Sequence, residues 1–331
     1  MPITGSGSGI GIEDRDGLQL AIDELNSSGG INQRNIELVI IDNETDLEKA
    51  KQIFLESEQT YNPLLHIGAL SFITTGVGQL AEESGVVLIA LSAVAPEVTQ
   101  DRQWVFRYFP MAEAEAVPIL QTLKKLNVNN LGILYLNDEF GRSIANEVAI
   151  QFENYDKIVY RESFENNDNL FHDKITSLQN EDAIYVIGFP DHIKKILKQL
   201  HESNYQGKIL TSSDGATFDI FAMPEAEGVY LAAPIIYNSN FQLANQVAFE
   251  YQLKYDKQLN YNSANAYDLI RILHGILDEK ELSGKNLKHL LDSGFRYSGL
   301  FGDVEVFPKN HDMSFQLYPA KISEGGLEFE P

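Results

Sequence analysis

Short apolar runs alternate with amphipathic stretches along almost the whole chain, and this alternation limits the fold more than any other sequence feature. The runs have the length of strands, whereas the stretches between them repeat their apolar residues at helical spacing. Strands are predicted over residues 36–42, 64–69, 86–91, 104–109, 131–136, 158–164, 183–189, 208–212 and 229–233. Helices are predicted over residues 16–27, 46–61, 74–84, 112–126, 139–154, 191–204, 241–259 and 264–279. This order predicts an α/β protein with parallel central sheets.

Two doubly wound lobes fit this number of strands better than one sheet does. The chain has 331 residues, and a single core seldom grows beyond about 250–300 residues. No long linker divides the sequence, and candidate crossings between lobes lie near Pro110, Pro234 and His311. Three crossings make both lobes discontinuous. We therefore predict an N-terminal lobe of residues 1–110 plus 235–311, and a C-terminal lobe of residues 111–234 plus 312–331, which a strand at 315–322 completes.

The charge and composition exclude several classes of function. The chain has 25 basic and 48 acidic residues, for a net charge of −23, so nucleic acid and anionic membrane surfaces are not expected partners. It contains no cysteine, which rules out disulfides, zinc–thiolate sites, iron–sulfur clusters and cysteine nucleophiles. No apolar run is long enough to span a bilayer, and the first residues lack the basic and apolar regions of a signal peptide.

The sequence contains no recognisable catalytic or metal motif. The glycine-rich residues 5–11 fit no dinucleotide-binding frame, no strand precedes them, and no lysine follows for a phosphate loop. Residues 42–46 resemble a cation loop but lack the glycine and final glutamate of an EF-hand, so a loop that caps the next helix through Thr45 or Asp46 is preferred. Neither a metal nor a cofactor is predicted. Because catalytic groups can converge only in space, an enzyme on this scaffold stays a remote alternative.

Several phrases, taken in order, resemble one family of binding proteins. The strongest match covers residues 17–42, and the others are Pro-Ile-Thr-Gly at 2–5, Ile-Gly-x-x-Ser at 67–71, Ser-Ala-Val-Ala-Pro at 92–96, Asn-Asp-Glu-Phe-Gly at 137–141, Ser-Asp-Gly at 213–215 and Ala-Tyr-Asp at 266–268. In this order and spacing they resemble the leucine/isoleucine/valine-binding family. Its members are the substrate-binding proteins of branched-chain amino acid ABC transporters and have the type I periplasmic binding fold.

The resemblance implies a monomeric, periplasmic or extracellular solute-binding protein that is not an enzyme and needs no cofactor. Its expected ligand is an amino acid, an amide or an aromatic acid, bound in a cleft between the lobes and delivered to an ABC permease. Hinge bending at the three crossings would open and close the cleft. A ligand-sensing receptor or regulatory domain of the same fold is the alternative, and the sequence does not separate the two.

A zwitterion needs hydrogen-bond donors for its carboxylate and an anion for its ammonium group. With the resemblance, Ser71 at the start of a helix is expected to hold the carboxylate, although a plain N-cap serine is the alternative. Ser92, through its carbonyl or hydroxyl, and Asp214, as counter-ion, are expected to hold the ammonium group. A common Asp-Gly turn is the alternative for Asp214. Ser71 and Asp214 are expected to lie on opposite lobes.

Three positions depart from the pattern of the amino-acid binders. Val94 stands where the family usually has a threonine that touches both ends of the zwitterion, and Phe140 and Phe189 stand where tyrosines are common. Each change deletes a hydroxyl, so the pocket is expected to be more apolar, with two aromatic walls, and to suit a ligand larger or less polar than leucine. Ordinary core packing is the alternative for both phenylalanines. Ala93, between Ser92 and Val94, is expected to line the same cleft.

Three further residues are weaker candidates for the ligand site. Ser8 and Ile10 in the first loop are expected near the cleft. Tyr267 either reaches the cleft or is a buried tyrosine bonded to a neighbour. Arg107 and Tyr108, at the first crossing, are expected to pack at the hinge and not to contact ligand.

The start of the chain departs from the family. Family members open with a central strand that ends at the phrase matched by residues 2–5, and Met1 lies immediately before that phrase. Removing a central strand exposes two strand edges and part of the core. We therefore expect a start upstream that supplies the strand and an export signal, with a trimmed product as the alternative.

Overall fold

The structure is a computed structural model that describes residues 1–238, 240–306 and 311–329. Its helices are α1 Ser8–Ser27, α2 Leu47–Tyr61, α3 Ser71–Ser84, α4 Ala112–Lys125, α5 Glu139–Glu153, α6 His172–Ser177, α7 Pro190–Glu202, α8 Phe218–Phe221, α9 Gln242–Tyr255, α10 Tyr261–Leu277 and α11 Gly284–Asp292. Its strands are β1 His66–Ala69, β2 Leu88–Leu91, β3 Val105–Tyr108, β4 Asn130–Leu136, β5 Ile158–Phe164, β6 Ala183–Ile187, β7 Lys208–Thr211, β8 Tyr230–Pro234, β9 Phe295–Gly299, β10 Gly302–Val306, β11 Asp312–Ser314, β12 Leu317–Ser323 and β13 Gly326–Phe329. Residues 239, 307–310 and 330–331 of the predicted lobes lie outside the described residues.

The chain divides into two compact units, each made of two separate segments. Unit 1 consists of Met1–Pro110 and Ser239–Phe315, and unit 2 of Met111–Asn238 and Gln316–Pro331. The first boundary falls at Pro110, where a crossing is predicted, and the other two fall after Asn238 and Phe315 instead of after residues 234 and 311.

Unit 1 is built on a six-stranded sheet in the order β1-β2-β3-β11-β10-β9. The strands from β1 to β11 are parallel, and β10 and β9 complete the sheet in antiparallel orientation. Strands β2 and β3 are wholly buried. Helix α1 packs against α10 so closely that a Cβ at Gly17 would lie 2.0 Å from the Ser263 carbonyl oxygen, a distance that only glycine permits.

Unit 2 is built on a seven-stranded sheet in the order β13-β12-β8-β7-β6-β4-β5. The five strands from β8 to β5 are parallel, whereas β12 runs antiparallel to β8, and β13 antiparallel to β12. Strand β6 is central and buried at all five positions. The carboxyl ends of β4, β6 and β7 therefore lie along one edge of this sheet, where α/β proteins commonly bind ligands.

The predicted strand at residues 36–42 is wrong, because this segment forms no strand in the structure. A strand needs a hydrogen-bonded neighbour, and none pairs with the segment among the described residues. Leu38 and Ile40 are only half-buried, as are three of the four residues of β1. Two cavities of about 400 and 180 Å³ share a lining of Leu38, Val39, Leu65 and Ile67. We call this space between the segment and β1 the strand slot.

Met1 lies at one end of the strand slot and is bonded there like a strand residue. Its ammonium group donates to the Ile41 carbonyl (2.9 Å), and its own carbonyl accepts from the Asn43 amide (3.1 Å). These two bonds to residues on either side of Asp42 are the pattern of a parallel ladder. The slot therefore has a defined register for one more parallel strand.

Helix α1 begins earlier than predicted, at Ser8 instead of residue 16, so the predicted first loop is helical from that residue onward. A Cβ at Gly11 would lie 2.1 Å from the Pro2 carbonyl oxygen, which shows how tightly the glycine-rich turn folds against the start of the chain. Within the described ranges, no helix combines the length and the apolar character needed to cross a membrane.

Candidate functional site

The first candidate region lies in unit 1, where α3 begins directly after β1. Ser71, the first residue of α3, is buried, and its Oγ accepts hydrogen bonds from the backbone amides of Val94 (3.1 Å) and Ala95 (3.3 Å). Because the two amides occupy the acceptor positions of the hydroxyl, its hydrogen is available to donate to a further acceptor. Together with the amides at the start of α3, this hydroxyl is a donor set suited to a carboxylate.

Arg107 holds the loop of residues 92–95 by hydrogen bonds to its backbone carbonyls. Its Nη1 donates to the carbonyls of Ala95 (2.8 Å) and Ala93 (3.2 Å), and its Nε donates to Asp312 Oδ1 (2.8 Å). The Arg107 side chain is 0% exposed. Tyr108, the next residue, donates to Asp268 Oδ2 (2.7 Å). Both residues thus make structural contacts inside unit 1.

Ser92 is held in place by an acidic neighbour that the sequence analysis missed. Its backbone is left-handed (φ 48°), and its hydroxyl lies 3.3 Å from Asp14 Oδ1 and 3.1 Å from Asn262 Oδ1. Burial, followed by the charge of Glu13, raises the pKa of Asp14 well above its usual value. The hydroxyl of Ser92 is therefore committed to unit 1, which leaves its carbonyl as the group proposed for a ligand. The sequence signal that could have identified Asp14 is its position on the apolar face of α1.

Asp214 lies on a short turn that follows β7 in unit 2. The turn is a 3₁₀ helix, Ser213–Gly215, on which Asp214 is half-buried. Glu115 of α4 contacts this turn: it accepts hydrogen bonds from the Ser213 amide (2.7 Å) and from the Tyr185 hydroxyl (3.2 Å). Burial raises the pKa of Glu115 to about 7. Glu115 is not among the residues predicted from the sequence, although it interrupts an apolar helix face that also carries Ala112, Ile119 and Leu123.

Phe140 and Phe189 meet at the ends of β4 and β6. Their rings stack at 19° with centroids 5.7 Å apart, and the residues are 7% and 6% exposed. A ligand ring does not fit between rings this close, so the pair forms one continuous apolar surface instead of two separate walls. Asp138 caps α5 by accepting from the Gly141 amide (2.9 Å), and burial raises the pKa of Asp138 to about 6.

The weaker candidates lie apart from these groups. Tyr267 donates to Glu24 Oε2 (2.6 Å), which is the arrangement of a buried tyrosine bonded to a neighbour. Ile10 is a buried residue of α1, and Ser8 is its half-buried first residue. The structure thus groups Ser71, Ser92, Ala93 and Val94 in unit 1, and it places Asp214, Phe140 and Phe189 at strand ends of unit 2.

Two discontinuous α/β units, each with polar groups at the carboxyl ends of parallel strands, define a protein of the bilobal binding class. The chain belongs to the periplasmic binding protein family, whose model matches residues 1–326. It is 23% identical over 241 residues to the leucine-, isoleucine-, valine-, threonine- and alanine-binding protein of Pseudomonas aeruginosa, a match that covers 70% of this chain and 64% of that protein.

Two further proteins are similar. The chemotactic signal transduction system substrate-binding protein BasB of Halobacterium salinarum is 23% identical over 245 residues, which cover 70% of this chain and 58% of BasB. Both curated relatives are thus matched over less than two thirds of their own length. The crystal structure of LivJ, the branched-chain amino acid transporter substrate-binding protein of Streptococcus pneumoniae in complex with isoleucine, superposes with a TM-score of 0.88 at 22% identity, covering 98% of this chain and 95% of LivJ. That likeness shows the shared fold.

Proposed function

We propose that this protein binds an amino acid or a related small molecule outside the cytoplasm and delivers it to an ABC importer. One observation carries the proposal. In a member of the periplasmic binding protein family, Ser71 and the loop of residues 92–95 form a hydrogen-bonded set of polar groups at the start of α3. The names of the relatives from Pseudomonas aeruginosa and Streptococcus pneumoniae support both the ligand class and the transport role.

In this proposal, both units supply groups that bind ligand. Unit 1 binds the carboxylate through the Ser71 hydroxyl and the first amides of α3, and it offers the Ser92 carbonyl to the ammonium group. Unit 2 binds the ammonium group through Asp214, a charge-assisted contact that fixes the orientation of the ligand. The ligand side chain packs on the apolar surface formed by Phe140 and Phe189.

A thermal-shift screen of amino acids, amides and aromatic acids tests the proposal. A cognate ligand at about 100 times its Kd adds about 2.7 kcal/mol to the free energy of unfolding and raises Tm. Asp214→Asn removes the counter-ion at nearly constant shape, and we expect it to abolish the shift. Asp219→Asn changes an exposed aspartate nearby in unit 2 and should leave the shift intact. If no compound in the screen raises Tm, the proposed function is wrong.

The Val94 side chain predicts how the site ranks its ligands. Val94 is 2% exposed, and its amide bonds to Ser71 Oγ, so its side chain lies beside the proposed carboxylate position. We expect Val94→Thr to raise the affinity for L-leucine about tenfold, because a hydrogen bond to a charged group contributes about 1.5–3 kcal/mol. Isothermal titration calorimetry measures the change. Val77→Thr, at a buried valine of α3, is the control; equal affinity gains in both variants would refute a specific role of position 94.

A sensory role is the second candidate, and the similarity to BasB favours it. Ligand capture would then be the same, but the liganded protein would dock on a receptor and not on a permease. Reconstituting the protein with an ABC permease that accepts the ligand found in the screen, and measuring uptake of that ligand, separates the two functions. Uptake supports transport, whereas binding without uptake supports sensing.

A further inference from the structure

Glu115 is a buried carboxylate that touches the turn carrying Asp214. It lies on α4 and accepts hydrogen bonds from the Ser213 amide and the Tyr185 hydroxyl, at 2.7 and 3.2 Å. The hydroxyls of Thr211 and Ser212, just before the turn, are buried and make no hydrogen bond in the described structure. At the end of the turn, the Tyr237 hydroxyl donates to the Ala216 carbonyl. Glu115 is therefore a side-chain anchor at the beginning of the turn.

We propose that Glu115 is a positioning residue that holds the Ser213–Gly215 turn, and with it the Asp214 carboxylate, so that ligand binding weakens when Glu115 takes up a proton. The inference rests on the proposed function, in which Asp214 is the counter-ion of the ligand. Hydrogen bonds to an ionised acceptor are about twice as strong as neutral ones. Protonation of Glu115 thus weakens the bond that fixes the Ser213 amide, and it also removes a negative charge beside the ammonium position.

The surroundings of Glu115 place this change near neutral pH. Burial raises its pKa to about 7, and the bonds from Ser213 and Tyr185 oppose that rise. The ionisable groups that face this region are Tyr185 on β6 and Asp214 on the turn. The other elements packed against α4, namely α5, β8 and β12, bury apolar residues. With these neighbours, Glu115 is ionised above about pH 8 and protonated below about pH 6.

Stability and affinity should respond to this proton in opposite directions. The pKa of the Glu115 carboxyl is about 7 in the folded protein, whereas its ordinary value is 4.5. Folding stability contributed by Glu115 therefore rises as the pH falls through 7. Ligand affinity falls over the same range, because the ionised form holds the turn.

The binding experiment compares wild type with Glu115→Gln and with Glu113→Gln, an exposed glutamate on the same helix. For L-leucine, we expect Kd to rise about tenfold between pH 8.5 and 5.5 in wild type and in Glu113→Gln, a change equivalent to one weakened charge-assisted bond. In Glu115→Gln, Kd should change clearly less over this range, and the change that remains reflects other groups such as Asp138, whose pKa is about 6. An equal pH dependence in all three proteins would overturn the proposal.

A ligand-free measurement separates this inference from the proposed function. In ¹H–¹⁵N spectra of the unliganded protein, the Ser213 amide should titrate with a midpoint near pH 7, and in ¹³C spectra the Glu115 carboxyl carbon should report the same midpoint. Both titrations should be absent in Glu115→Gln and present in Glu113→Gln. If these titrations occur but no amino acid binds, the proposed function fails while the role of Glu115 in the turn stands. If they are absent in wild type, the inference fails whatever the ligand.

Tyr185→Phe provides a second variant in case Glu115→Gln does not fold. It removes one hydrogen bond that lowers the pKa of Glu115. The midpoint of the Ser213 titration should therefore move above that of wild type. A midpoint that stays in place would show that a group other than Glu115 titrates at the turn.

Discussion

Adding a six-residue apolar strand directly before Met1 is expected to raise the free energy of unfolding by about 5 kcal/mol. The bonds of Met1 to Ile41 and Asn43 set the register, so the added residues run beside residues 36–41 and β1. Burying each large apolar side chain contributes about 1.5–3 kcal/mol, and the half-buried walls of the strand slot become covered as well. These gains exceed the backbone ordering cost of about 1–2 kcal/mol per residue.

Urea denaturation and amide hydrogen exchange measure this effect. The strand Val-Ile-Val-Leu-Val-Ile should shift the unfolding midpoint upward and protect the amides of residues 36–42, because they then belong to a sheet. An extension of equal length made of Ser, Asn and Gly is the control and should change neither quantity. If both extended proteins unfold at the same urea concentration, the slot does not accept a strand, and the cavities there have another origin.

The failure at residues 36–42 shows which part of the fold a sequence can predict. Buried central strands such as β6 were recognised because a continuous apolar run is itself a local signal. The segment 36–42 has the same local signal, yet a strand also requires a neighbour at the correct register, and the alternation of residues does not contain that information. The antiparallel strands β9 and β10 were missed for the opposite reason. Their polar residues hide the pattern, although they pair in register with each other.

The candidate site, like the fold, has features that the sequence predicts and features that it does not. The positions of Ser71 and Asp214 could be predicted, since each follows a strand and matches a phrase of a known family. What the side chains bond to could not be predicted, because those partners lie far away in the sequence. Ser71 Oγ contacts amides 23 and 24 residues away, and Glu115 contacts an amide 98 residues away. Glu115 and Asp14 are each an acidic residue on an apolar helix face. This position marks them as unusual but does not reveal their partners.

Replacing Arg107 by methionine is expected to destabilise the protein by about 3–5 kcal/mol. The substitution leaves Asp312 buried without its cation, and breaking one side of a buried ion pair typically has a cost of this size. It also removes the donors to the carbonyls of Ala93 and Ala95. Chemical denaturation of the ligand-free protein measures the loss. Arg142→Met is the control, because Arg142 and Glu139 form an exposed pair, 3.6 Å apart, that contributes less than about 1 kcal/mol.

The double variant Arg107→Met with Asp312→Leu separates the role of the ion pair from the role of the loop. Removing both charges eliminates the unpaired buried carboxylate, so part of the lost stability should return. The carbonyls of Ala93 and Ala95 still lack their donors, so the loop beside Ser71 stays loosened, and affinity for any ligand bound there should stay low. Recovery of stability without recovery of affinity would show that Arg107 supports the ligand site through the loop. Full recovery of both would show that the guanidinium acts on Asp312 alone, and an unchanged unfolding midpoint in Arg107→Met would contradict both roles.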